Sequence, residues 1–502
     1  MKTCLAILVI SLAIPTDARA HQRHGGLVAA APARPAATSS GAGRSWLAGD
    51  HHIHSEHSAD YEPNPANPTA PPKPLLGKDG LYSITRNAEM ARRFGLRWVV
   101  ATDHGGPLHS KLNFDLTYPA LLRSRRAVPE LLQFYGMEFD TPAGDHSSLI
   151  IPRTPNERTQ LLELESRFSK REAWPLDPAR DTEPRMIEAL RQMRAQASPP
   201  VLIANHPSRS AKKVGRYGLY TPSEFRNWND TAPAIAIGME GAPGHQAGAL
   251  RPDGTYDPDG ARGGYRNAPT MGGFDQMTAI LGGFWDSMLG EGRRWWITAT
   301  SDSHANWRDG GNDFWPGEYS KTYVLARAQE ADILDGVRQG RMFVTTGDLI
   351  TDLDVIVKGP GRTTNAAIGG AIVIAPGSSV DVTIRVRDPG HGQTSDPETG
   401  KRNPTLRRVD LIVGKVLGPV SDRATDNNPT TRVERRFGAT DWKREGEFLT
   451  MTHRLRKLNG PIYLRVRGTN TAELEPLTDP KGEDPWSDLW FYANPIFVSL
   501  AS

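Results

Sequence analysis

Short runs of consecutive apolar residues, each ending in a polar or charged group, recur along the first two thirds of the chain. Trp98-Val99-Val100-Ala101, Phe134-Tyr135-Gly136-Met137, Val201-Leu202-Ile203-Ala204 and Trp295-Trp296-Ile297-Thr298-Ala299 each fit a strand buried on both faces. Between them lie stretches with apolar residues at helical spacing. Leu81 to Phe94 places Ile84, Ala88 and Ala91 on one face and is stopped by Gly95, and Met186 to Leu190 repeats the pattern. This alternation from Trp46 to about Leu349 predicts an α/β unit with a parallel sheet or barrel. Residues 61–78, with six prolines, and the Gly-, Pro- and Asp-rich residues 241–275 interrupt it as long loops, which in a β/α barrel sit over the site. After Gly347 the period changes. Val380 to Val386 and Ile462 to Arg467 alternate strictly between apolar and polar, with Gly/Pro/Asp turns between such runs, which predicts a smaller all-β domain of the sandwich type.

The first residues carry a different pattern. Met1-Lys2-Thr3-Cys4 leads into the apolar run Leu5 to Ile14, and Ala18-Arg19-Ala20 supplies a small-x-small cleavage pattern. The expected organisation is a signal peptide over 1–20, a flexible linker over 21–44, a barrel over 45–350 and a β-sandwich over 351–502. Export to a periplasmic or secreted location follows from that leader. No apolar run approaches the roughly 20 residues of a transmembrane helix, so no membrane span is expected. Cys4 is the only cysteine of the 502 residues, which excludes a disulfide framework and a thiol nucleophile in the mature chain. A net charge of +3, with both signs well mixed, gives no sign of a nucleic-acid partner.

The chemistry sits where the apolar runs end. Asp50-His51-His52-Ile53-His54-Ser55-Glu56-His57-Ser58-Ala59-Asp60 holds four histidines and three carboxylates. Strand alternation turns His52 and His54 to one side and His51 to the other. Later runs end in Asp103-His104, Glu138 (with His146 shortly after), His206 and Asp302-Ser303-His304. The C-terminal strand ends of a β/α barrel meet on one face, and imidazole with carboxylate is a ligand set for divalent metals. Ten of the fourteen histidines fall between His51 and His304. A lone strand-end histidine is usually structural and a lone Asp103 or Asp302 can cap a helix, but the set together points to a metal centre.

The motifs His52-x-His54, Thr102-Asp103-His104, Gly136-Met137-Glu138, Asn205-His206-Pro207 and Ser301-Asp302-Ser303-His304, in this order, resemble those of the polymerase-and-histidinol-phosphatase (PHP) superfamily of metal-dependent phosphoesterases. Gly340 to Gly347 is similar to that family's barrel ending, and the leader with a C-terminal β-domain resembles its secreted branch, which includes carbaryl-type carbamate hydrolases. The resemblance covers residues 47–350 and implies a distorted (β/α)7 barrel. It implies two or three divalent ions, Zn, Mn or Fe. One ion would take His52, His54, Glu138 and Asp302, a second Glu138, His146 and His206, and a third Asp60, His104 and His304. His57 is the alternative to Asp60.

The activity so implied is hydrolysis of a small phosphoester, a phosphodiester first, by a solvent hydroxide that the ions activate. Asp302 is the candidate proton acceptor, and Arg209 the candidate clamp on a phosphate oxygen. Glu240 and His245 are expected to support the site rather than to act in it. A carbamate or carboxylic-ester hydrolase on the same ligands is the alternative, to be recognised by aromatic walls from Trp285, Trp307 or Trp315. A non-catalytic binding module is the alternative of another class, and it predicts lost ligands. Oligomeric state is not readable.

Overall fold

The computed structural model describes residues 43–361, 365–389 and 404–501. The predicted signal peptide and all but the end of the predicted linker lie outside the described residues.

The protein is a mixed α/β structure with one large mixed sheet and a separate five-stranded antiparallel sheet. The apolar runs form strands as their composition requires. Trp98–Ala101, Val201–Ala204 and Trp296–Ala299 are buried along their whole length. Trp98–Ala101 lies between Ser45–Asp50 and Leu132–Asp140, parallel to both. His146–Ile151 runs antiparallel between Leu132–Asp140 and Val201–Ala204. Ala236–Ala242 and then Trp296–Ala299 continue the sheet in parallel. One consequence matters for the site. The parallel strands deliver their C-terminal ends to one edge, and the reversed strand delivers its first residue, His146, to that same edge.

Helices cover the sheet at the predicted places. Ile84–Arg93 starts at Ser83, whose hydroxyl accepts from Arg86 N–H, and buries Ile84, Asn87, Ala88 and Ala91 on one face. From that face the Asn87 amide donates to the His54 carbonyl at 2.7 Å, so the helix holds the backbone of a site residue. Glu183–Arg194 contains the second periodic segment and buries Met186, Ala189, Leu190 and Met193. Of the two long loops, residues 61–78 hold part of a short hairpin, Asp60–Glu62 with Lys73–Leu75. Residues 243–275 carry only the single turn Arg262–Gly264 as regular structure.

On the other side of Ser45–Asp50 the sheet continues antiparallel through Ser320–Ala326 and Met342–Thr346. It does not stop at the expected domain boundary. Met342–Thr346 pairs with Trp490–Ala493, and through that strand the sheet runs into Ile462–Thr469, Ile496–Leu500 and Arg408–Lys415. The remaining C-terminal strands, among them Asp352–Lys358, Val380–Arg387 and Phe448–Leu455, form the separate sheet. Apolar side chains of both sheets, including Val355, Val382, Ile384, Leu411, Leu464 and Val498, share one core.

The free edge of Trp296–Ala299 is satisfied by side chains. The Asn494 amide accepts from Ile297 N–H at 3.0 Å and donates to Ile297 C=O at 3.2 Å. The Thr322 hydroxyl accepts from Ala299 N–H at 2.9 Å and donates to its carbonyl at 2.8 Å. Both anchors come from segments on the far side of Ser45–Asp50 in the sheet order, so Trp296–Ala299 is tied to Ser320–Ala326 and to the end of Trp490–Ala493 by side chains.

Candidate metal centre

His52, His54, Glu138, His206 and Asp302 are all nearly or fully buried, and burying so many ionisable groups in one place costs several kcal/mol unless they satisfy one another. The arrangement shows how they do. His52 Nδ1 lies 2.7 Å from Glu240 Oε1 and must donate to that carboxylate. The lone pair of neutral His52 is then on Nε2, which faces Glu138 Oε1 at 3.1 Å, Asp302 Oδ1 at 3.0 Å and His54 Nε2 at 3.1 Å. His54 Nε2 in turn sits 3.1 Å from Asp302 Oδ1 and 3.6 Å from Glu138 Oε2, with Nδ1 bonded to Ser58. Two ring nitrogens and two carboxylates converge on one point, more partners than one proton can serve. Ligand bonds of about 2.0–2.2 Å around a tetrahedral ion separate the ligand atoms by roughly 3.3–3.6 Å, close to this spacing.

The second group shares Glu138. Its Oε1 is 3.0 Å from His146 Nδ1 and 2.9 Å from His206 Nε2. The third group is His104 and His304 around Asp79 Oδ2, at 3.1 and 3.4 Å, with His54 beside them and stacked on His304 at 3.7 Å between ring centres. Each group could hold a metal ion through His and carboxylate atoms.

The ligands are aimed by residues behind them. Glu240 also accepts from the His206 backbone N–H at 2.6 Å and from Thr300 at 2.8 Å. Asn205 donates to Glu138 at 3.1 Å and accepts from Ser148. Asp50 accepts the backbone N–H groups of His52 and Ser301, and so ties the first and last ligand-bearing segments together. Asp302 is held from its far side by His245, whose Nε2 is 3.1 Å from Oδ2 while Nδ1 bonds Asp313 at 2.5 Å. His206, His245 and Asp302 have φ of 31°, 52° and 46°, left-handed values that cost a side-chain-bearing residue about 1–3 kcal/mol each. Gly244 permits the approach to Asp302, since a Cβ there would lie 2.0 Å from Asp302 Cβ.

Without metal, the electrostatics are those of carboxylates competing for protons on imidazoles. Burial pushes Glu138 up, but His146 and His52 outweigh it and hold the carboxyl well below the usual range. Asp302 is likewise depressed against its burial by His52 and His245. Burial lowers His146, but Glu138 and Asp140 carry it up to about 10; Asp79 and Asp302 carry His304 to about 9. Burial and neighbouring His304 push His54 down to about 3, which keeps its ring neutral and its lone pair available.

The structure therefore brings together eight of the nine proposed ligands. Asp60 is exposed and lines the cavity without joining a cluster, and half-buried His57 stands apart beside Glu56. Asp79 occupies the carboxylate position instead. His51 bonds Ser148 and Thr298 at 3.0 and 2.8 Å on the opposite side, as alternation requires. Asp103 caps no helix; it accepts from the Ser55 backbone and hydroxyl and braces the opening loop. Arg209 lines the cavity with Nη2 3.1 Å from Asp145. Neither a scan against protein-family models nor a search of curated proteins finds a match for this chain.

The groups open into a cavity of ≈ 470 Å³, within the range that encloses a small ligand. Its lining is polar, with Lys78, Arg209, Asn312 and Asp313 beside the ligands and no Phe, Tyr or Trp among the described lining residues. Trp285 is buried with its indole N–H on the Trp295 carbonyl, and Trp307 and Trp315 pack in apolar clusters.

Proposed function

We propose that this protein is a metal-dependent phosphoesterase of the PHP type, exported from the cell, which hydrolyses small phosphodiesters. The observation that carries the reading is the sharing of Glu138 and His54 between adjoining ligand groups at one edge of the sheet. Ions held by groups that share residues in this way would supply Lewis-acid chemistry to one phosphoryl group. Side-chain closure of the last strand onto Thr322 and Asn494 supports a distorted barrel, and the common core of the two C-terminal sheets supports a sandwich.

Divalent ions held here would polarise a phosphoryl oxygen and lower the pKa of a bound water. The remaining steps belong to the chain. Asp302 accepts the proton of the attacking water, and His245 on its far oxygen keeps the carboxylate ionised and aimed. Arg209, fixed by Asp145, presents its guanidinium to a non-bridging phosphate oxygen. Asp145 partly offsets that charge, and Lys78 is exposed, so the cavity suits the single negative charge of a diester better than a dianionic monoester.

No Phe, Tyr or Trp of the kind an aryl carbamate or ester would need lines the metal cavity among the described residues, and the intact ligand groups speak against a non-catalytic module. Nitrophenyl substrates test the reading. Turnover of a nitrophenyl phosphodiester ahead of the phosphomonoester, carboxylic ester and carbamate supports it. A preference for the carbamate, or diester turnover surviving Asp302→Asn, overturns it.

A further inference from the structure

Beside the metal cavity lies a larger one of ≈ 720 Å³, and Arg209, His245 and Asn312 line both. A small diester is accommodated by the metal cavity alone, so the second space calls for a further part of the substrate.

Two distant parts of the sequence build it. One is the glycine-rich loop around Ala261–Asn267, and the other is Asp479–Lys481 from the C-terminal β region. They are joined by hydrogen bonds rather than by loose proximity. Asp479 accepts from Gly272 N–H at 2.6 Å, Gly273 N–H at 2.9 Å and the Thr270 hydroxyl at 2.6 Å. Gly482 N–H donates to the Gly260 carbonyl at 2.9 Å. The wall is therefore a built surface.

Its charges are not all spent. Buried Arg262 is engaged by Gln246, Tyr319 and Glu483. Exposed Arg266 has no hydrogen bond or ion pair among the described residues, and the amides of Asn267 and Asn312 have none either. Lys481 has only a 3.9 Å approach to Asp259, with both side chains largely in water, a pair worth little.

We propose that this cavity binds the remote end of the substrate, and that this end carries a second anionic group, phosphate or carboxylate, taken by Arg266 and Lys481. The amides of Asn267 and Asn312 donate hydrogen bonds to the same end. The inference rests on the phosphoester reading for the identity of the reacting end. It gives the C-terminal β region a part in substrate selection, through Lys481.

Calorimetric binding to the metal-loaded full chain separates the two claims. The probes are alkylphosphonates and chains of equal length ending in a second phosphonate or a carboxylate, three to six carbons long. The wild type is expected to bind an ω-anionic probe about 10-fold more tightly than the plain alkylphosphonate, the worth of one charge-assisted hydrogen bond. The double variant Arg266→Ala/Lys481→Ala, both at exposed positions, is expected to lose that preference while binding the plain probe as before. Which ω-group is preferred identifies the anion. No preference in the wild type, or a preference that survives the double variant, overturns the subsite. The preference found without any phosphoester turnover would keep the subsite and sink the phosphoesterase reading; diester turnover without the preference does the reverse.

Discussion

Glu240 touches His52 Nδ1, the His206 backbone N–H and the Thr300 hydroxyl, so one buried carboxylate orients two ligand-bearing segments. Glu240→Gln leaves one accepting oxygen where the carboxylate offers two, so the amide cannot accept from both His52 Nδ1–H and His206 N–H, and the His52 ring can take the wrong tautomer. Metal affinity is expected to fall about 10–100-fold with little loss of secondary structure, as read by competition with a chelating dye. Asp79 makes a sharper case. Asp79→Asn is expected to remove one ion per chain, whereas Asp60→Asn leaves the metal content unchanged; equal losses in elemental analysis would contradict the placement of Asp79. Sequence reasoning found the ligands that end apolar strands, because strand period and strand ends are local signals. It missed Asp79, which lies in Gly77-Lys78-Asp79-Gly80 outside any strand or helix and reaches His104 and His304 only through the fold. Glu240 and His245, expected to support the site, contact His52 and Asp302, and His245 also stands with Asp302 and His304 in a group that could hold an ion.

The strand Trp296–Ala299 shows what periodicity cannot convey. Its burial was readable from four consecutive apolar or small residues, but the satisfaction of its outer edge depends on Thr322 and Asn494, remote polar residues with no pattern of their own. Asn494→Ala would leave the buried N–H and C=O of Ile297 without those partners, at about 1–3 kcal/mol for each group. A clear drop in Tm is expected, with the metal content retained once the variant is folded. Helix Ile84–Arg93 was the opposite case. Its helical spacing is visible in the sequence, which sets the start at Leu81 rather than at the Ser83 cap; the hydrogen bond from Asn87 to the His54 backbone, which ties the helix to the site, is not.

Over the whole molecule, the expected division at residue 350 understates the connection between the two parts. Met342–Thr346 pairs with Trp490–Ala493, and pairing between segments so far apart leaves no trace in local composition. The charge balance also has a consequence at this scale. In the metal-free protein His146 and His304 titrate near 10 and 9 in place of 6.5, so their protonation adds stability that is complete below about pH 6.5 and is lost as pH rises through 9 to 10. Chelated protein is therefore expected to lose Tm steeply between pH 7 and 10, while metal-loaded protein does not, because ions replace the protons. Loading at pH 7 should release protons, measurable as a buffer-dependent heat; a heat independent of the buffer would contradict this.

Metal content per chain, measured on purified wild-type protein and on Glu138→Ala, tests the metal centre most directly. Glu138 is the carboxylate shared by the first two ligand groups. Two or three ions in the wild type, falling to one or fewer in Glu138→Ala, is the expected result. Less than one ion in the wild type, or the same content in both proteins, would contradict it.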